Sequence, residues 1–264
     1  MLAIIRGAGD IASAIALRLH KCGASVIMTE VEHPLTVRRT VAFSEAIHSG
    51  KTQVEGVVGV RAESVDDALR RALEGVVPVL VDPKCSCIWL EPDVLVDAIL
   101  AKRNVGTAID MAPIVIGIGP GFTAGDDCHA VVETMRGHTL GRVYYEGSAL
   151  PNTAVPGLVG GFAGERVLRA PNDGTFREVA SIRDHVEAGQ AVAYVDDAPV
   201  IATLTGTLRG LLAGGTHVTK GLKCGDIDPR DEVSHCETVS DKGLAVAGGV
   251  LEAILHLSDT LTKA

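Results

Sequence analysis

A glycine turn between a short apolar run and a helical pattern constrains this chain more than any other feature. Leu2–Ile5 reads as a strand, Gly7-Ala8-Gly9-Asp10-Ile11-Ala12 follows, and Ile11, Ile15 and Leu19 then recur at the spacing of one helix face. Gly23 stands where a helix ends, Ser25–Thr29 reads as a second strand, and Glu30 closes it, 23 residues after Gly7. In such a G-x-G-x-x-A turn the first glycine permits the tight turn. The second lets backbone approach a pyrophosphate, and the small third residue lets helix and strand pack closely. The helix N-terminus presents free N–H groups to an anion. Gly7, Gly9, Asp10 and Ile11 are therefore candidate cofactor-binding residues, and Glu30 is the acid expected to bond ribose hydroxyls. Asp10 supports the opposite reading: a carboxylate at the mouth caps the helix itself and repels phosphate.

Further βα units follow. Thr40–His48 and Ser64–Leu73 read as helices, the second opened by Ser64 with Asp67 in a capping-box arrangement. Val57–Val60, Pro78–Val81, Val94–Val96 and Ile114–Ile118 read as strands. The alternation predicts a Rossmann-like α/β domain with a parallel sheet and helices on both faces, over residues 1–120. Ligands of such sheets bind beyond the strand C-termini, which puts Gly7, Glu30, Asp82, Asp97 and Gly119 on one rim. The loop Gly117–Gly125 offers successive backbone N–H groups as an anion nest, with Gly119 and Gly121 as candidate contacts. Arg38 and Arg39 could grip a phosphate or pair with surface acids.

The second half changes character. Residues 121–164 form a connecting β segment, and a mostly β domain is expected over 165–232. Gly174-Thr175-Phe176-Arg177 returns as Gly206-Thr207-Leu208-Arg209 at an offset of 32, and six of sixteen aligned positions are identical. Such a repeat implies two related β units. The layout resembles biotinyl/lipoyl domains, a barrel-sandwich of interlocked repeats. Their modifiable lysine is absent, the turn reading Asp196-Asp197-Ala198-Pro199, so a scaffold or docking role is expected rather than a swinging arm. His185 and His217 occupy equivalent positions, which repetition alone explains. Residues 233–264 read as a C-terminal helix capped by Ser240 and packing back on the first domain, with Gly248-Gly249 marking a close approach.

Side-chain chemistry is sparser. His129 and Glu133 share a strand face and make a candidate acid/base pair, with Asp82 as a third candidate catalytic group. Cys85 and Cys87 could bind a soft metal or act as a redox pair, but one CxC lacks the remaining ligands of a zinc site. Eight aromatic residues in 264 and a net charge of −9 argue against nucleic acid as a partner. No stretch reads as membrane-spanning or as a signal peptide, and six scattered cysteines suit a cytoplasmic location.

Several segments together resemble a family. They include Arg6–Asp10, Val37–Val41, Asp97–Asn104, Gly119–Gly125, Glu133–His138, Gly141–Val143, Asn152-Thr153 with Pro156-Gly157, Leu222–Arg230 and Ser240-Asp241-Lys242. The chain is similar over nearly its whole length to YqeB-type accessory proteins of the selenium-dependent molybdenum hydroxylase system, distantly XdhC-like. The resemblance implies a maturation factor that assists assembly or insertion of a molybdenum cofactor. Its ligand would be a nucleotide such as NAD, or a molybdopterin. Its partner would be the client hydroxylase, and a homo-oligomer is compatible. It carries no settled catalytic residues. The alternatives are an NAD-dependent oxidoreductase, in which His129 or Asp82 would handle the proton, and a non-catalytic interaction protein. No Tyr-x-x-x-Lys pattern supports the oxidoreductase.

Overall fold

The computed structural model describes residues 1–153 and 157–258; residues 154–156, including Pro156, and residues 259–264 lie outside the described set. The chain divides into two compact units. The first comprises Met1–Pro34, Ala42–Thr153 and Val239–Ala264, the second Leu35–Val41 and Ala154–Thr238.

In the first unit, nine strands form one sheet: β1 (Leu2–Arg6), β2 (Ser25–Glu30), β3 (Lys51–Val54), β4 (Val57–Ala62), β5 (Val77–Val81), β6 (Val94–Asp97), β7 (Ile114–Ile118), β8 (Ala130–Val132) and β9 (Val143–Tyr144). Their order is β3-β4-β5-β2-β1-β6-β7-β8-β9, with β1 at the centre. Pairings from β4 to β8 are parallel, whereas β3–β4 and β8–β9 are antiparallel. The expected all-parallel Rossmann-like sheet is thus corrected to a mixed sheet. At one edge the cause is local. Glu55 and Gly56, both at positive φ, make a two-residue turn that reverses the chain. The Lys51–Val54 strand is too polar to be found by apolar patterning. The helix expected over Thr40–His48 shrinks to a 3-10 turn at Arg39–Val41 and the short α2 (Glu45–Ser49).

The other helices are α1 (Asp10–Lys21), α3 (Val65–Leu73) and α4 (Asp241–Leu257). Ser64 caps α3 by accepting from the Asp67 amide at 3.1 Å, and Ser240 caps α4 by accepting from the Gly243 amide at 3.1 Å. Ala68 and Ala72 of α3 share an apolar cluster with Ile4, Ile27, Leu95 and Val115. α4 runs against α1 and against β7, β8 and β9. Its two adjacent glycines differ sharply. A Cβ on Gly249 would strike the Gly141 carbonyl oxygen and lie 2.8 Å from the Val132 methyl, whereas one on Gly248 would meet nothing within 4 Å.

The second unit holds β10 (Val167–Arg169), β11 (Gly174–Glu178), β12 (His185–Val186), β13 (Ala191–Val195), β14 (Ala198–Ile201), β15 (Gly206–Leu211), β16 (His217–Val218) and β17 (Lys223–Asp228). The repeat is visible as reciprocal pairing: Gly174 opposes Val218, and Gly206 opposes Val186. The expected barrel-sandwich is corrected to two four-stranded antiparallel sheets, β10-β17-β15-β12 and β14-β13-β11-β16. The repeated residues cover β11, β12, β15 and β16, and the strands outside them take equivalent places: β17 beside β15 and β13 beside β11, with β10 and β14 at the corresponding edges. The repeat's arginines diverge. Arg177 lies over the Tyr194 ring at 4.9 Å. Arg209 is buried, with Nε 2.9 Å from Asp226 Oδ2 and Nη1 3.1 Å from Asp228 Oδ2. Arg166 also donates to Asp226, and Arg230 Nη2 lies 2.6 Å from Asp228 Oδ2.

Gly248→Ala should raise stability by up to about 1 kcal/mol through helix propensity, while Gly249→Ala should lower it by roughly 1–3 kcal/mol through overpacking, both read by urea unfolding. Burial raises the carboxyl pKa of Asp226 and Asp228, but Lys223, Arg209 and Arg166 around the first and Arg230 and Arg209 around the second outweigh it, holding Asp226 low and Asp228 at about 2. Groups with depressed pKa stabilise above their unfolded value and lose that contribution as pH falls through the folded one. Unfolding free energy should therefore drop between about pH 4 and pH 2. Asp226→Asn should cost about 3–5 kcal/mol at pH 7.

Candidate anion site at the strand ends

The C-terminal ends of the parallel strands meet on one rim of the first unit, organised by a buried ion pair. Arg6, the last residue of β1, is 2% exposed, and its Nη1 lies 3.2 Å from Oδ2 of Asp97, the last residue of β6. Thr107 closes the cluster: Arg6 Nη1 donates to its hydroxyl, and the hydroxyl donates to Asp97 Oδ2 at 2.6 Å. Arg6 Nη2 reaches the Val105 carbonyl at 3.4 Å. The guanidinium thereby ties the 98–107 loop to the central strand. Arg6 Nε is buried with no partner among the described residues.

The rim glycines serve this loop. Gly7 has φ 93°, and a Cβ there would sit 3.0 Å from the Ala98 carbonyl oxygen. Gly121 has φ 113°, and its Cβ would lie 2.6 Å from the backbone of Arg103. Gly119, with φ 77°, abuts Thr134. All three make close approaches of protein to protein. Glu30 accepts from the Ala8 amide at 2.9 Å and the Val31 amide at 2.8 Å, so its carboxylate holds the glycine turn. Burial raises its pKa against those two amides. Asp10 opens α1 and accepts from the Ile11 amide at 3.0 Å, and Ile11 is buried.

The remaining candidates occupy separate places. Glu133, fully buried at the end of β8, accepts from the amides of Thr134 (2.7 Å), Met135 (2.7 Å) and Leu150 (2.9 Å). His129 lies before β8 and accepts at Nδ1 from the Val115 amide at 3.0 Å, so the two stand at opposite ends of one strand. Asp82 accepts from the Cys87 amide at 2.8 Å and holds the turn that carries Cys85 and Cys87. Among the described residues no group of three or more His, Cys, Asp or Glu is placed to hold a metal ion. Arg38 and Arg39 belong to the second unit, where Arg38 donates to the His235 and Thr238 carbonyls and Arg39 to the Leu211 carbonyl and Glu178.

Sequence patterning missed the cations. Lys102 sits in the loop after β6 with φ 63°, and Lys242 is the second residue of α4. The two ammonium groups interact with each other, and Lys242 also feels Arg136. Burial lowers the pKa of both lysines, and for Lys242 the neighbouring Lys102 lowers it further, against Asp10 and Glu133. Arg136 is held by a bidentate pair with Asp241, at 2.6 and 2.7 Å. Neither lysine has an ion-pair partner within 4 Å among the described residues. Gly243 packs against Ala14, which brings the first turn of α4 beside the start of α1. Lys102 and Lys242 lie in the Asp97–Asn104 and Ser240–Lys242 segments, and this clustering was the only available sign of them.

Breaking the organising pair is the clearest test of the rim's construction. Asp97→Asn leaves the buried Arg6 without its carboxylate and should cost about 3–5 kcal/mol in urea unfolding. Lys21→Gln, at the exposed pair with Glu55, should cost under about 1 kcal/mol.

No protein-family model matches the chain. An aspartoacylase family protein from Mesorhizobium loti covers 86% of the chain and 84% of its own length, at 12% identity and TM-score 0.28. A succinylglutamate desuccinylase/aspartoacylase from Rhodobacter sphaeroides covers 86% and 85%, at 13% identity and TM-score 0.26. Likeness at that level transfers neither fold nor activity. The molybdenum hydroxylase maturation factor and the NAD-dependent oxidoreductase expected from the sequence are both withdrawn, because the glycine turn that was to hold a nucleotide packs against the Ala98 backbone. On the chain itself, the acid expected to bond a ribose is already bonded to two backbone amides. Among the described residues no helix is long and apolar enough to cross a membrane. The protein named "Uncharacterized protein YqeB" of Escherichia coli strain K12 is 51% identical over all 264 residues. The chain is thus a YqeB-type sequence from end to end, and it spans 49% of that relative's length.

Proposed function

We propose that the first unit binds a small molecule through a phosphate or similarly dense anionic group, held between Lys102 and Lys242. The observation that carries this reading is the convergence of the two lysines. Two partly desolvated ammonium groups within each other's field repel, and in a chain of net charge −9 carboxylates are plentiful. A neutralising acid within ion-pair distance would remove the cost, yet none is in place among the described residues. An anionic ligand would supply it. The N-terminus of the 17-residue α4 adds a positive field at the same place. Arg136, already paired with Asp241, contributes charge at longer range. The six cysteines, all free thiols, fit a reducing cytoplasm.

Thermal unfolding in inorganic pyrophosphate, against sodium chloride at equal ionic strength, tests the reading. The parent should gain stability saturably, by about 2.7 kcal/mol at a hundred times Kd. Lys102→Gln and Lys242→Gln should each weaken binding roughly tenfold, about 1.4 kcal/mol. Lys242→Gln should also be no less stable than the parent without ligand, because it removes a like-charge contact. Equal stabilisation of parent and variants would refute the site.

A further inference from the structure

The last helix of the first unit is apolar on two sides. α4 has 17 residues, of which Asp241, Lys242 and Glu252 are the only Asp, Glu, Lys or Arg. A helix apolar all round is normally covered all round. One side of α4 is covered. Val246, Val250 and Ala253 are buried, Gly243 packs against Ala14 of α1, and Gly249 packs against Gly141 and Val132. The opposite side carries Leu244, Gly248, Leu251 and Leu255. Their spacing of four, three and four places them within about 60° of one another around the helix. Leu244 is 45% exposed, and the other three are half-buried. Gly248 is the odd member of this stripe. Glycine weakens a helix interior. The Gly141 carbonyl requires a glycine at 249, but a Cβ on Gly248 would meet nothing within 4 Å. Within the single chain Gly248 is only an outward-facing notch between leucines.

We propose that this stripe is the contact between two copies of the chain, with the two α4 helices packed antiparallel about a twofold axis. The order of sizes along the stripe identifies the occupant. Leu244, Gly248, Leu251 and Leu255 run large, small, large, large, and an antiparallel copy presents them in reverse. With the axis midway between Gly249 and Val250, Leu244 of one copy stands opposite Leu255 of the other. Leu251 of each then stands opposite the Gly248 notch of the other. Each contact is met twice by symmetry, as a self-complementary patch requires. The same packing sets the acidic first turn, with Asp241, toward the last turn of the second copy, with His256, and opposes the two helix dipoles favourably. A lipid surface fits less well. Helices that lie on membranes flank their apolar face with Lys and Arg, whereas α4 has one lysine and the chain carries a net charge of −9. The stripe is one helix wide, which places the contact among small interfaces that assemble as concentration rises.

Sedimentation velocity of the full chain, over a concentration span of about a hundredfold in the micromolar range, tests the proposal. The expected result is a monomer that passes to a dimer as concentration rises. Leu251→Glu should stay monomeric throughout while keeping the circular dichroism of the parent. Gly248→Ala stabilises the single helix but fills the notch, so it should weaken the dimer roughly tenfold while raising resistance to urea. A residue that served only the fold of one chain would not move the two readouts in opposite directions. The register is read by disulfide cross-linking in a Cys22→Ser background, which removes the exposed thiol. A mixture of Leu244→Cys and Leu255→Cys chains should cross-link. Leu244→Cys chains alone should not, because their two thiols lie eleven residues, about 16 Å, apart along the helix pair. The proposal is overturned if the parent sediments as a monomer at every concentration, including when some other protein is found to occupy the stripe. It is also overturned if folded Leu251→Glu still dimerises, or if the parent dimerises and the mixed chains do not cross-link. The parent and cross-linking measurements decide the matter even where Leu251→Glu fails to fold.

Discussion

One buried cation at the end of the central strand organises the first unit. Arg6 leaves β1 pointing into a place with almost no solvent, where an unpaired guanidinium would be expensive. Asp97 answers it from the neighbouring strand in register, since Arg6 opposes Asp97 in the β1–β6 ladder. Thr107 and Val105 complete the set from the loop that follows. A loop of irregular sequence is thereby pinned at both ends, and Lys102 is carried on it. The same guanidinium acts on Cys85 from the other side of the sheet order, after β5.

The contrast with the second unit is instructive. There Arg209 is also buried, but Asp226 and Asp228 match it, and Arg166 and Arg230 share the same carboxylates. Charge is locally satisfied, and the cluster holds strands β15 and β17 together. At the rim of the first unit three carboxylates are instead spent on backbone amides: Glu30 on the glycine turn, Glu133 on the loop after β8 and Asp82 on the cysteine turn. Lys102 and Lys242 have no ion-pair partner among the described residues. A ligand reading rests on that imbalance rather than on any glycine.

Much of the strand pattern was legible in the sequence. Leu2–Ile5, Ser25–Thr29, Val94–Val96 and Ile114–Ile118 are apolar runs buried on both faces, and each lies in a parallel strand. The antiparallel edges were not, because Lys51–Val54 is polar and Val143-Tyr144 is two residues long. The 32-residue repeat pointed to two related β units, and the two sheets do share one layout, with β13 and β17 in corresponding places although their residues are not repeated. At the rim, glycine spacing pointed to a ligand, whereas Gly7 and Gly121 accommodate the 98–107 loop. A spacing rule cannot tell which backbone comes close. Lys102 and Lys242 stand 140 positions apart, and only the fold brings them into each other's field.

On the reading proposed above, Lys102 and Lys242 together hold an anion. A crystal structure of the chain grown with pyrophosphate tests it most directly. The account predicts phosphate density within hydrogen-bond distance of both Lys102 Nζ and Lys242 Nζ. Ordered pyrophosphate elsewhere, with the two lysines turned into solvent, would contradict it.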